Sequence, residues 1–435
     1  MAADTFPARA TIASSQLEHL RRLLAALVPA NRFYTRKFSR AGVTAAVTSL
    51  DEFSEKFPFT TKQELSDNQC AQPPYGTNLT FPLERYTRFH QTSGTAGAPL
   101  RWLDTPEGWN WMVENWAEIL RAAGASSGDR VFFAFSFGPF IGFWLAYEAA
   151  QRIGCLCLPG GGLSSVARLH VLMENRATIL CCTPTYALRL AEVAAEEKID
   201  LRAACVRTII VAGEPGGSIP ALRARLQKLW QGAGIFDHHG MTETGPVTHE
   251  CPKQPGVLHV LEPAYFAEVI DPISAKPIAP GQRGELVLTT LGRTGSPLLR
   301  YRTGDLVKPV HQPSILDHQP CVCGRHTLTL DGGILGRTDD MVIVRGVNVF
   351  PSAVEDIILA CGEVAEYQVT VNNAHALTEL SIQIEPAPVC PDPAALVKRL
   401  EKSFEDAFAL RVPVKTVPAG TLPRFEMKAK RWTKI

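Results

Sequence analysis

Between Asp129 and Gly240 the chain alternates short apolar runs with helix-length segments, and no other feature constrains its fold as tightly. "RVFFAFSF" (130–137), "CLCLPGG" (155–161), "TILCC" (178–182), "TIIVAG" (208–213) and "GIFDHH" (234–239) read as strands running into turns. "FIGFWLAYEAAQRIG" (140–154), closed by Gly154, and "SSVARLHVLMENRA" (164–177), with serines placed to cap it, read as helices. This alternation implies βαβ units and a parallel sheet. Ligands of such sheets sit beyond the carboxyl ends of the strands, so the turns after these runs are the places to search for function.

The flanks differ in style. The first ninety residues read as helices and loops, with apolar residues at helical spacing in "SSQLEHLRRLLAALV" (14–28). After about residue 260, "RGELVLTT" (283–290) and "PLLRYRTGDLVKPV" (297–310) alternate as antiparallel strands do. Beyond the charged turn near Gly336–Asp340 come a strand, a turn, a helix, the strand "ELSIQIEP" (379–386) and a helix opened at Asp392. The expected architecture is α/β: a large N-terminal domain, residues 1–336, with mixed and parallel sheets, and a small α+β C-terminal domain, residues 337–435.

Composition removes several function classes. The 435 residues are 46% apolar, enough for a core, and the formal net charge of +1 gives no global attraction to nucleic acid or anionic membrane. Only the tail "KAKRWTKI" is locally basic. An odd eleven cysteines make a disulfide-stapled secreted protein a poor fit, and "MAADTFPARATIASSQ" has no apolar signal core. The longest uncharged run, Val131 to Tyr147, is shorter than the ~20 residues of a membrane helix and is broken by Gly138-Pro139. A cytoplasmic protein with reduced thiols is expected.

Six polar stretches stand out: "TSGTAGAP" (92–99), "GEPGG" (213–217), "HHGMTETGP" (238–246), "YRTGDL" (301–306), "GRTDDMVIVRGVNVFPSAVE" (336–355) and "LPRFEMKAKR" (422–431). In the first, Thr92, Ser93 and Thr95 offer hydroxyls, and Gly94 and Gly97 let the backbone approach an oxyanion. No lysine follows as in a P-loop, and taken alone the stretch reads equally well as a polar loop. In this order and spacing, the six resemble the adenylate-forming superfamily of acyl-CoA ligases, and specifically its phenylacetate–CoA ligase branch. The resemblance spans essentially the whole chain.

It implies a carboxylic acid activated by ATP and Mg²⁺ to an acyl-adenylate, then a thioester formed with CoA, the C-terminal domain acting as a mobile lid. Thr92, Ser93, Gly94, Thr95 and Gly97 would wrap the outer phosphates. Many relatives carry Lys where this chain has Ala98, and Arg101 is a candidate substitute. Thr242 resembles the α-phosphate donor and Glu243 the Mg²⁺ ligand. His239 stands where relatives have Tyr against adenine, followed by Gly240 and Met241. Gly213, Glu214 and Pro215 resemble the adenine-side segment. Asp305 resembles the ribose-binding carboxylate and Arg337 the ribose- and phosphate-side arginine. Asp339 resembles the lid hinge, and Gly346 the glycine beside the pantetheine channel. Lys428 resembles the lid lysine of adenylation, with Lys430 its competitor in "EMKAKR".

Two further sets are read from the residues. Cys251 and His259, with Cys321 and Cys323 of "CVCGRH", loosely fit a Cys₃His structural zinc site that some relatives of that branch share; His326 is a substitute ligand and buried thiols are the bland alternative. Cys155, Cys157, Cys181 and Cys182 read as core thiols. Phe135, Phe137 and Phe140, with Gly161 of the next turn, are candidates for an acid pocket suited to an aryl or arylacetic acid, or equally for core. A carrier-protein thiol as acceptor, a homodimer, and a degenerate nucleotide-binding protein stay open. Ala98 and His239 favour the last, while Thr242, Glu243, Asp305 and Lys428 oppose it.

Overall fold

The computed structural model describes residues 6–92, 99–279, 281–310, 319–338, 340, 342–345, 347–372, 378–425 and 429–435. Ser93, Gly94, Thr95, Gly97, Ala98, Asp339, Gly346 and Lys428 therefore lie outside the described residues.

Four helices open the chain, α1 (Arg9–Leu27), α2 (Arg32–Ala41), α3 (Leu50–Lys56) and α4 (Lys62–Ala71), followed by a hairpin of β1 (Arg88–Gln91) and β2 (Arg101–Asp104). After α5 (Pro106–Ala122) the alternating region unfolds as β3 (Arg130–Phe133), α6 (Trp144–Arg152), β4 (Leu156–Pro159), α7 (Ser165–Glu174), β5 (Ile179–Cys182), α8 (Pro184–Glu196), β6 (Thr208–Val211), α9 (Pro220–Leu229) and β7 (Gly234–Asp237). The five strands pair in parallel in the order β4-β3-β5-β6-β7. Alternate residues go to opposite faces: Val131, Phe133, Ile179, Cys181 and Ile210 meet α5 and α6, while Phe132, Leu180, Cys182, Ile209 and Val211 meet α7, α8 and α9. Helices cover both faces, which is why these strands read as continuous apolar runs.

Local chemistry sets the helix starts. Thr105, Thr183 and Asp392 each accept a backbone N–H at the first turn, with Pro next in line, and Ser164 caps α7 as expected. Thr61 and Glu64 form a reciprocal capping box on α4. The apolar run at 130–137 stops being strand at Phe133, because the Phe135 N–H turns back onto the Phe133 carbonyl. Phe135 and Phe137 thus stand on the turn at the carboxyl end of the sheet instead of on a core strand.

A short pair, β8 (Gly240–Met241) and β9 (Gly245–Pro246), leads to β10 (Thr248–Cys251), β11 (Gln254–Val260), β12 (Tyr265–Ile270), β13 (Gly284–Thr290), β14 (Tyr301–Val307), β15 (Thr329–Asp331) and β16 (Gly336–Arg337). These make the antiparallel sheets β10-β11-β15 and β12-β13-β14-β16. The remainder, β17 (Val342–Val344), β18 (Val347–Val349), α10 (Pro351–Ala360), β19 (Val364–Asn372), β20 (Glu379–Pro386), α11 (Pro393–Phe408), β21 (Val414–Thr416) and β22 (Trp432–Lys434), builds a four-stranded sheet, β21-β20-β19-β22, over its own core of Val354, Ile358, Val369, Ile382, Leu400 and Phe404. A separate C-terminal α+β unit is what the sequence led us to expect. Among the described residues no helix is long and apolar enough to cross a membrane, and all eleven cysteines are free thiols.

Candidate active site

The β1–β2 hairpin presents the loop at 92–99 as its connection. At the loop's entry Thr92 is buried, its hydroxyl accepting the Leu100 N–H at 3.0 Å. Arg101 spends its guanidinium on the Pro74 carbonyl at 3.0 Å, which does not suit it to replace the lysine missing at Ala98. A different cation comes closer to the chemistry. Lys62, at the first turn of α4, lies 3.4 Å from the Glu243 carboxylate.

The segment after β7 is held from several sides. A side chain on Gly240 would stand 2.8 Å from the Gly245 carbonyl oxygen, so only glycine fits this close crossing of β8 and β9. Arg293, fully buried, donates to the backbone carbonyls of Thr242 (2.8 Å) and Glu243 (2.7 Å) and pairs bidentately with Asp104 at the end of β2. One guanidinium thus ties the β1–β2 hairpin to the Thr242–Glu243 turn. Tyr301 OH faces the same carboxylate of Glu243 at 3.4 Å.

Asp305 on β14 lies opposite Arg337 on β16, and Arg337 Nη1 donates to Asp305 Oδ1 at 3.0 Å. The other oxygen, Oδ2, is 3.1 Å from His239 Nε2. Neither atom of that close pair makes an aligned hydrogen bond, and both are buried. Two buried polar atoms of opposite character, left side by side without partners, fit a ligand that brings its own hydroxyls. The sequence-expected His239, Asp305 and Arg337 therefore meet, as do Thr242 and Glu243, with Gly240 and Met241 as the strand that carries them.

Gly213, Glu214 and Pro215 follow β6 at the carboxyl edge, with Gly213 at φ +95°. The Glu214 side chain does not turn toward His239. It accepts the Thr185 N–H of α8 at 2.8 Å and the Ala429 N–H of the C-terminal unit at 2.9 Å.

Beyond the sheet edge stands an aromatic wall. The Phe135 ring rests over Gly142 and meets Phe143 edge-on at 5.4 Å, and Phe137 packs against Gly161 and edge-on to Trp144 and Tyr147. Phe143 continues to Trp116 and Trp116 to His238, at centroid distances of 5.9 and 4.3 Å. Phe140 is half-buried beside them. His238 Nδ1 lies 2.7 Å from the Thr248 carbonyl, which requires the proton on Nδ1. Burial holds its pKa down to about 3, so the ring is neutral and Nε2 is an acceptor.

The four expected metal-site residues also converge. The donor atoms of Cys251, His259, Cys321 and Cys323 all lie within 4.8 Å of one another. Cys251 Sγ is 3.6 Å from Cys321 Sγ, and Cys323 Sγ 3.3 Å from His259 Nε2. The other ring nitrogen of His259 is fixed by Thr327 Oγ1 at 2.9 Å. Burial keeps His259 neutral, with a pKa near 3, and, with the neighbouring sulfurs, pushes the Cys251 thiol up to about 12. His326 is not among the four.

Comparison with known proteins gives this geometry a context. Residues 91–292 match the family model described as AMP-binding enzyme, and residues 346–434 the AMP-binding enzyme C-terminal domain. The phenylacetate-coenzyme A ligase of Thermus thermophilus is 32% identical, over 97% of this chain and 96% of its own length. The chain belongs to the phenylacetate–CoA ligase family. It is an acid–thiol ligase, forming an acyl-adenylate and then a thioester with CoA. Among solved structures, 2-hydroxyisobutyryl-CoA ligase in the postadenylation state superposes with a TM-score of 0.91 at 28% identity, covering 99% of this chain and 91% of that one. The same ligase in its thioesterification state, over the same coverage and identity, reaches only 0.73. Identity and coverage are the same in the two comparisons, and the present structure superposes better on the postadenylation one.

Sequence reasoning missed Lys62, Arg293 and Arg431. Lys62 and Arg293 stand in none of the six stretches, and Arg431 closes the last of them without being singled out. Lys62 carries only the signature of a helix start, and Arg293 and Arg431 act through backbone carbonyls and neighbouring carboxylates that no linear pattern brings together.

Proposed function

We propose that this ligase activates an aryl or arylacetic acid. The observation that carries the reading is the cluster of Phe135, Phe137, Phe143 and Trp116 at the carboxyl edge of the sheet, joined through Trp116 to His238 in the segment after β7. The rings meet edge-on and rest against Gly142 and Gly161, and an aromatic lining of this kind would favour a planar ring by dispersion. ATP would lie across His239, Asp305 and Arg337, its ribose hydroxyls meeting the unpartnered Asp305 oxygen. Thr92, Ser93, Gly94, Thr95 and Gly97 would take the outer phosphates, with Lys62 supplying the positive charge missing at Ala98. Glu243 would hold Mg²⁺, which when bound neutralises charge on the phosphates. Thr242 and Lys428 would meet the α-phosphate while the acid carboxylate attacks it and pyrophosphate leaves. Positioning and charge neutralisation account for the rate. Asp339, following Arg337 on β16, would be the hinge, with the domain boundary between 336 and 337. Gly346 would border the path of the CoA thiol.

Cys251, His259, Cys321 and Cys323 would hold a structural zinc. Three sulfurs and one imidazole whose second nitrogen is already fixed suit a closed tetrahedral site. A second reading of the acid, a short hydroxylated one, is favoured by His238, whose bare Nε2 at the end of the aromatic wall would accept a hydroxyl. ATP–pyrophosphate exchange over a panel of benzoates, arylacetates and short 2-hydroxy acids tests both readings. Exchange strongest with aryl acids supports the first, and exchange confined to hydroxy acids overturns it. Mass analysis with CoA against a holo-carrier protein decides the acceptor.

A further inference from the structure

Glu214 is placed where an adenine-side residue is expected, yet its carboxylate joins the two structural units. Oε1 takes the N–H of Thr185, in the first turn of α8, and Oε2 takes the N–H of Ala429. Ala429 directly follows Lys428. Two residues on, Arg431 is locked into the C-terminal unit: its guanidinium pairs with Glu366 at 2.6 Å and Glu355 at 3.3 Å and lies over the Tyr367 ring. The tail at 429–431 is therefore tied at one point to the N-terminal domain and at the other to the lid.

We propose that Glu214 is a positioning residue for adenylation, a latch that ties Ala429, the residue after Lys428, to the N-terminal domain only while the lid is in its present orientation. The assignment of Lys428 rests on the reading above; the latch itself rests on the two hydrogen bonds. Thr185 and Glu214 move together because α8 and β6 belong to one packed sheet layer, whereas Ala429 moves with the lid. When the lid turns for thioester formation, the Ala429 bond breaks and the Thr185 bond stays. The latch thus stabilises one half-reaction and leaves the other alone. Both bonds are charge-assisted, because the acceptor is a carboxylate at a helix N-terminus.

The test uses the full-length enzyme and separates the half-reactions. For Glu214→Gln, which keeps size but turns a donor toward one of the two N–H groups, pyrophosphate exchange should fall about tenfold or more, with thioester formation from preformed acyl-adenylate within about twofold of wild type. Glu214→Asp keeps the charge but is one methylene too short to span both donors, and should show the same split. Equal losses in both half-reactions, or full exchange in Glu214→Asp, would overturn the latch, since a merely structural cap would do the first and a purely electrostatic role the second. Thermal melts identify any variant that loses both activities by misfolding, and the Glu214→Asp result then decides. Lys428→Ala is run in parallel. If it keeps exchange while Glu214→Gln loses it, the lysine is misassigned, to Lys430 for instance, and the latch stands. If Lys428→Ala loses exchange and Glu214→Gln does not, the latch is wrong and the lysine right.

Discussion

Asp305 shows how much one carboxylate does at the residue scale. One oxygen is committed to Arg337 and the other lies buried beside His239 with no aligned partner. Replacing it with Asn keeps the volume, loses the charge that Arg337 needs and turns a donor toward one of its two neighbours. The expected result for Asp305→Asn is a KM for ATP raised about tenfold or more with a smaller change in kcat, since ribose binding is equal in ground and transition states. A kcat loss with unchanged KM would remove Asp305 from the ribose site. Alone, Asp305 reads as a turn residue beside Gly304, and only the company of five other motifs singled it out. Its neighbour in space was not singled out: Arg293 contributes through carbonyls of Thr242 and Glu243, and any residue type has a carbonyl. The Glu214 side chain was misjudged for a related reason, since the N–H groups it accepts belong to Thr185 and Ala429, whose identities carry no signal.

At the scale of elements, the parallel sheet was legible almost strand by strand, because strands covered on both faces leave continuous apolar runs. The exception was the run at 130–137, whose last residues belong to the aromatic turn; apolarity alone cannot separate a core strand from an aromatic turn at the sheet edge. The Cys/His cluster joins β10, β11 and the segment before β15, which no helix packs into place by spacing alone. Cys251 and His259, with seven residues between them, come near each other because β10 and β11 form a hairpin in which His259 pairs with His249, two residues before Cys251. A bound zinc would fix that hairpin to the Cys321–Cys323 turn. We predict about one zinc per chain by metal analysis, consistent with a single Cys₃His site. Cys321→Ser or chelation should lower Tm by on the order of 5–10 °C, with little change in the KM for ATP. Metal content in Cys321→Ser equal to wild type would show that the ligand set is wrong.

At the scale of the whole molecule, the interface between the two units contains a titrating group. Glu355 on α10 is half-buried where α10 and β19 meet α8 and α9 of the N-terminal domain, among Thr185, Leu188, Leu222 and Arg225. Burial raises its pKa to about 7; Arg431 pulls it down, Glu214 across the interface and Glu366 push it up, and Tyr367 hydrogen-bonds to it. In the undocked lid the carboxyl returns toward its ordinary value of 4.5. The docked state therefore binds the extra proton between those two values. Its stabilisation is complete below the lower one and is lost as pH rises through about 7. From about pH 6 to about pH 8, adenylation should weaken relative to thioester formation as the lid leaves its present orientation. The CoA thiol ionises toward the upper end and speeds the second half-reaction in any variant, so the diagnostic is a comparison. Glu355→Gln, neutral throughout, should keep the thiol-dependent rise and lose the decline in adenylation. Identical pH profiles of pyrophosphate exchange in the two proteins would place the titrating group elsewhere and leave the lid's orientation indifferent to protons.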